Sequence, residues 1–409
     1  MLTTTTDKLR ADVDEILPGV IADRRHFHEH PELGFQEFET AKLVAERLAS
    51  LGVEEIKTGI NKTGVTGLIR GSGTGPGKDR VVLLRADMDA LPILEENEVD
   101  YVSQNPGVMH ACGHDAHTAI LLGVARMLTD HQSEFAGTVK LLFQPAEEMP
   151  PGGALGMIEE GVLENPHVDA VFGLHMAQAI PVGFVAVRGG PVMAGGDLFE
   201  ITIQGKGGHA ASPHRATDPV VIGSQIVAAL QTVVSRNVDP MERAVVSITF
   251  FQAGDAFNVI PDSARLGGTV RWFDPEVTQL VEERIIAVAT GIGEASGAQV
   301  DVKFPRGYAP TINDDAHAEI VREAAIQVVG EDHVLTPPPV MGGEDFSRFL
   351  LKRPGAYFVV GSKNEEKGLV WGHHHPKFDI DEESLGIGVA TMTNTVFTWF
   401  ARSADTLVP

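Results

Sequence analysis

The sequence predicts an α/β protein: a mixed sheet with helices on both faces, interrupted by an inserted α+β domain. Three observations predict it. Short, nearly continuous apolar runs recur along the chain: VVLLR (81–85), TVKLLF (138–143), AVFGL (170–174) and AYFVVG (356–361). Runs this short and β-branched mark strands buried on both faces. Helical stretches lie between them, as in parallel crossover units. Residues 187–306 follow a different order, βαββαβ, the ferredoxin-like split unit.

In chain order, residues 7–25 read as a helix with Leu9, Val13, Ile16, Leu17 and Ile21 at helical spacing, and Pro18 is expected to kink or split it. Residues 36–51 form an amphipathic helix (Phe38, Ala41, Val44, Leu48, Leu51), with Gly52 placed to cap it. A third helix covers 115–129. The inserted segment reads as strand 198–205, then a helix from Asp218-Pro219 to about Arg236. Strands 244–251 and 264–273, a helix from about Pro275 to Ala295 and strand 298–304 complete it. Loop-rich VRGGPVMAGGD (187–197) and PRGYAPTIND (305–314) bound this unit. The expected domains are therefore 1–186 with 308–409, and an inserted 187–307. No internal repeat is visible.

The 409 residues carry 32 basic and 56 acidic side chains, a net charge of −24. That balance argues against nucleic acid or an anionic membrane surface as the main partner. An apolar fraction of 43% supports a large core. The single cysteine, Cys112, excludes an intrachain disulfide. The N-terminus shows no signal-peptide pattern and no run of about 18 apolar residues is present, so a soluble, cytoplasmic protein is expected.

Three of the four apolar runs end in acids or histidine, and open α/β sheets form their sites at the carboxyl ends of strands. His110-Ala111-Cys112-Gly113-His114-Asp115-Ala116-His117 holds four ligand-type residues in eight. Cys112 and His114 can face one point across Gly113, and thiolate with imidazole suits a zinc-like ion. A helix N-terminus and a metal would lower the Cys112 pKa. The bland alternative is a polar helix start. Glu147-Glu148 follows a strand; one acid can bind metal while the other stays free as a base, although most such pairs are solvated turns. His175 ends an apolar strand, where a structural histidine is the ordinary finding. Asp87 and Asp89 resemble carboxylates that orient metal-bound histidines. His373-His374-His375-Pro376 is a further cluster, and at most one or two of its histidines reach one metal. His26-Phe27-His28-Glu29-His30 sits at a Pro-imposed helix stop and reads as structural or supporting. No Walker A, Rossmann or Gly-x-Ser-x-Gly motif supports another chemistry.

Taken together, RRHFHEHPELGFQE, RADMDALP, HACGHDAH, FQPAEE, GLHM, GKGGHAASPH, FNVIPD, GGTVR, GGEDFS and HHHPKFDIDE resemble the amidohydrolase branch of the zinc-peptidase M20 family. They run from about residue 24 to 383. The resemblance implies a zinc-peptidase-like sheet domain with an inserted lid and dimerisation domain. It implies metal ligands Cys112, His114, Glu148, His175 and His374, the last from a His-x-Pro pattern. Glu147 matches the general base, and Asp89 is counted with it as catalytic. His209 matches a histidine that reaches the substrate carbonyl, often in the partner subunit's site. Asn258, Arg271 and Gly342 match positions near the substrate.

The implied activity is hydrolysis of the amide bond of N-acyl amino acids, of N-acetyl or N-benzoyl type. Two divalent ions (Zn, Mn, Co or Ni) would share a water whose proton Glu147 takes. A metallo-carboxypeptidase or dipeptidase acting on short peptides would use the same residues. A non-enzymatic protein with structural metal is the third possibility, but closed structural sites place no spare acid beside the cluster. The expected partners are a small-molecule N-acyl amino acid or short peptide and a second copy of the chain, as a homodimer or higher homo-oligomer.

Overall fold

The computed structural model describes residues 6–402. They divide into two compact units. The first comprises the described residues up to Val192, Thr311–Pro338, and those from Asp345 onward; the second comprises Met193–Pro310 and Pro339–Glu344.

The first unit is built on an eight-stranded sheet in the order Glu54–Ile60, Gly64–Ser72, Ala136–Gln144, Val81–Asp87, Ala170–Pro181, Gly355–Lys363, Val185–Ala186, Val334–Leu335. The four inner strands, Ala136–Gln144 to Gly355–Lys363, run parallel. They are the four runs visible as apolar sequence, and every residue of Val81–Asp87 is buried. Leu84 sits in register between Leu141 and Phe172. The chain visits one side of Val81–Asp87 and then the other. This makes its carboxyl end a topological switch point, the usual place for a site in such sheets.

Pro18 does not split the first helix, which runs unbroken as Thr6–Glu29. Leu9, Val13, Val20 and Phe27 are all buried, so the packed stripe continues across the proline. Pro18 itself is exposed, so the carbonyl that loses its amide partner can face water. Phe38–Ser50 follows as the second helix, and the Gly52 amide donates to the Ala49 carbonyl at 3.1 Å. Thr6–Glu29, His114–Asp130, Asp315–Val329 and Glu383–Ala401 pack on one another.

The second unit has a four-stranded antiparallel sheet, ordered Ala244–Gln252, Ser263–Trp272, Gly195–Gln204, Gln299–Lys303. With helices Pro219–Asn237 and Pro275–Ala295 between strands, this is the split βαββαβ arrangement. Each helix starts as its sequence suggests: Asp218 and Asp274 cap the first turn and Pro occupies the next position. Pro219–Asn237 is long and apolar enough to cross a membrane by length and composition. Ile222, Ile226, Leu230 and Val233 bury one of its faces in the unit's own core.

Candidate metal centre

Four segments of the first unit deliver side chains to the carboxyl ends of the inner strands. Gly113 makes the bend between Cys112 and His114. Its φ of 91° is left-handed, and a Cβ there would lie 3.3 Å from Met176. His114 then opens the helix His114–Asp130. Its Nδ1 donates to the Asp89 carbonyl at 2.9 Å, and its buried Nε2 has no hydrogen-bond partner. His175 is arranged the same way: Nδ1 donates to the Met176 carbonyl at 2.7 Å, and Nε2 lies 3.5 Å from Cys112 Sγ. A backbone carbonyl on the far nitrogen is the common means of aiming a ligating imidazole.

His374 reaches the cluster from a left-handed turn with φ 64°, its amide bound to the Ala111 carbonyl at 2.7 Å. Its Nε2 lies 3.1 Å from Glu148 Oε1. The neighbouring histidines go elsewhere. His373 packs edge-on to His175 at 5.1 Å between centroids, and His375 stacks on Trp371 at 4.2 Å. Donor atoms of Cys112, His114 and His175 lie within 4.8 Å of one another; so do those of Cys112, Glu148 and His374, and those of His114, Glu147 and Glu148. These overlapping triples form one sulfur, nitrogen and oxygen cluster of the kind that holds borderline divalent ions. The orphaned His114 Nε2 fits that use.

Asp89 pins the turn that carries the acids. Its two oxygens accept the Glu147 and Glu148 amides at 2.9 and 3.0 Å. Asp89, which the sequence places with the catalytic residues, thus contacts the Glu147 and Glu148 amides and, through its carbonyl, His114. Of the other loop histidines, His117 has both nitrogens engaged, Nδ1 with Asp87 at 2.6 Å and Nε2 with the Met176 amide at 2.9 Å. His110 is buried with neither nitrogen hydrogen-bonded, and burial lowers its pKa to about 3.

The electrostatics of the protein alone oppose a free thiolate. Burial, with Glu148 and Glu147 nearby, pushes the Cys112 thiol well above its ordinary value despite the proximity of His114. The lowering expected from the helix N-terminus is outweighed. Burial pulls His114 down, but Asp87, Asp89 and Cys112 raise it well above normal overall. His374 is raised by its hydrogen bond to Glu148. The cluster thus holds protons that a divalent ion would displace, since ligands must be deprotonated.

Two buried networks support the cluster; sequence reading indicated Asp87 and His28 in supporting roles but not the arginines at their centres. Arg85 bridges Asp87 at 2.6 Å and Asp345 at 2.9 Å, while Gln144 donates to Asp345 at 2.8 Å. This ties the ends of two inner strands together. An Arg inside an otherwise apolar strand was the available signal, because it must find buried acids. The second network centres on Arg24, which donates to Asp115 at 2.9 Å and Asp379 at 2.7 Å. His28 joins it through Asp115 at 2.7 Å and Glu95 at 3.1 Å.

Burial and Arg24 act to lower His28, yet Asp115 and Glu95 raise it to about 9. Between its unfolded value of 6.5 and about 9, the folded state holds a proton that the unfolded chain has released. The stabilisation is therefore complete below pH 6.5 and is lost as pH rises through about 9. Its size is on the order of 3 kcal/mol. In urea titrations at pH 6 and pH 9, His28→Gln should remove this loss; an unchanged pH slope would count against it.

The second unit holds the other sequence-indicated residues. His209 lies on the exposed strand Gly208–His209, directly opposite Val259, and so beside Asn258. Arg271 pairs with Gly196, whereas Ser263, eight residues earlier on the same strand, pairs with Gln204 near the His209 loop. Arg271 thus lies roughly 26 Å along the strand from Ser263, the end nearer the His209 loop. Gly342 is exposed, and a Cβ there would meet only Met193.

Comparison with known proteins bears on the family and the class of chemistry. Over 311 residues the chain is 47% identical to an N-acyl-L-amino acid amidohydrolase of Geobacillus stearothermophilus, covering 76% of this chain and 82% of that one. It is 43% identical to thermostable carboxypeptidase 1 of Saccharolobus solfataricus, covering 93% and 95%. A solved Bacillus subtilis protein described as a dinuclear metal-binding peptidase of the M20 family superposes with a TM-score of 0.80 at 38% identity, covering 94% and 98%. Residues 83–398 match a single family description. The chain belongs to the peptidase family M20/M25/M40, and is a hydrolase of amide bonds.

Proposed function

We propose that the protein cleaves the amide bond of N-acyl amino acids at a centre of two divalent ions held by Cys112, His114, Glu148, His175 and His374. The observation that carries this is the pair of acids, Glu147 and Glu148, held on one turn at the cluster. Glu147 lies in the cluster, 7% exposed, on a turn that Asp89 holds by both amides. Five donors exceed the three that one catalytic zinc usually takes, and they suit a pair. When bound, the ions would supply Lewis acidity toward the carbonyl and acidify the attacking water. Glu147 takes the proton of that water and returns it to the departing amine nitrogen. Asp89 keeps the carboxylate aimed, and burial excludes bulk water from it. His209, Asn258, Arg271 and Gly342 are assigned to substrate, with His209 donating to the carbonyl oxygen in the partner subunit's site. The second unit serves as lid and dimer surface. The acidic, cysteine-poor composition supports a cytoplasmic setting.

The similarity to a carboxypeptidase supports a second reading, short peptides as substrates. The test is a panel of N-acetyl amino acids, N-benzoyl amino acids and dipeptides on enzyme loaded with Zn, Mn, Co or Ni. The expected result is kcat/KM at least about tenfold higher for an N-acyl amino acid than for any dipeptide, worth about 1.4 kcal/mol. The opposite ranking would select the peptide reading, and no hydrolysis of either class would remove both.

A further inference from the structure

We infer that the last turn of the first helix carries a separate surface site for a divalent transition-metal ion, formed by His26, Glu29 and His30. One donor atom from each lies within 4.8 Å of the others. None of the three belongs to the cluster around Cys112. His26 and His30 are one helical turn apart, so they share a face. The turn is closed: the His30 amide donates to the His26 carbonyl at 3.2 Å. The two rings lie side by side, 4.5 Å between centroids and 27° between planes.

A second observation orients the site. His30 Nδ1 lies 2.9 Å from the His26 carbonyl oxygen. A carbonyl only accepts, so Nδ1 carries the proton and Nε2 is left as the ligating lone pair. The same device aims His114 and His175 in the centre described above. The residues between point the other way: Phe27 and His28 are buried, and His28 is committed to Asp115 and Glu95. The HFHEH motif thus divides, one histidine supporting the core and two joining Glu29 at the surface.

Two imidazoles and one carboxylate suit Zn²⁺, Ni²⁺ or Cu²⁺, and offer too few oxygens for Ca²⁺ or Mg²⁺. Water would complete the coordination. Three ligands on an open surface hold an ion more weakly than the Cys112 cluster, so the site fills after that centre.

The test is equilibrium dialysis of the full chain against Zn²⁺, comparing wild type with His26→Ala/His30→Ala. Wild type is expected to bind one more Zn²⁺ per chain than the double variant. That difference does not depend on how many ions the Cys112 centre takes, so the two readings fail separately. Equal stoichiometry would overturn the site. Should the double variant misfold, His30→Gln alone should lose the same equivalent, and an unchanged count in that variant overturns the site equally. A Cu²⁺ EPR spectrum of the Zn-loaded protein gives an independent readout. Nitrogen coupling present in wild type and absent from the variant supports the site, and identical spectra refute it.

Discussion

Glu147→Gln should lower kcat by roughly a thousandfold or more while leaving metal content at the wild-type level. Glutamine keeps the shape and the backbone amide that Asp89 accepts at 2.9 Å, but it cannot take a proton near neutral pH. General acid–base groups contribute about 10²–10⁴ in rate. In the proposed mechanism one carboxylate acts twice, on the water and then on the leaving amine, which places the loss at the upper end. Retention of metal follows from the proposed division of labour on the turn, in which Glu148, beside His374 at 3.1 Å, serves as the ligand. Cys112→Ser gives the contrasting phenotype, weaker metal loading with activity restored in part by excess metal. Metal analysis and steady-state kinetics on both variants separate the roles. A Glu147→Gln enzyme with a tenth of wild-type activity would remove the assigned base, and one that loses metal would make Glu147 a ligand.

The visibility of these parts in the sequence followed burial. The four inner strands stand out because both faces are packed, leaving continuous apolar runs. The outer strand Glu54–Ile60, EEIKTGI, is mostly exposed and shows no such run, and Gly64–Ser72 is broken up by glycine and a terminal Arg-Gly-Ser. The helix Glu383–Ala401 escaped notice for the opposite reason: it is buried nearly all round, so it lacks an amphipathic stripe. The metal cluster is legible because cysteine, histidine and paired acids are rare in apolar company. Which of three consecutive histidines faces the acids came from the His-x-Pro pattern of the resemblance, not from spacing or burial. In the fold it is set by the left-handed turn at His374 and its amide bond to Ala111. The arginines of the supporting networks were not picked out because the acids that Arg24 and Arg85 meet, Asp379 and Asp345 among them, are distant in sequence.

Arg24→Ala should destabilise the first unit by about 3–5 kcal/mol, the range for removing one partner of a buried ion pair. Arg24 is fully buried, and its loss leaves Asp115 and Asp379 facing one another without it. His28 stays on Asp115 at 2.7 Å and offsets part of the loss, which favours the lower end. Lysine would not rescue, because a single ammonium cannot fork to two carboxylates. At roughly 2–4 °C per kcal/mol for a unit of this size, the melting temperature should fall by about 10 °C. The effect should also reach the active site. Asp115 is the second residue of the helix that His114 opens, so freeing it loosens the ligand's anchor, and metal should dissociate faster. Charge rather than lost volume is the cause if Asp379→Leu, added to Arg24→Met, recovers stability, since apolar replacement of a buried pair is often neutral. A double variant less stable than Arg24→Met alone would show instead that Asp379 earns its place through Tyr101, which donates to it at 2.8 Å.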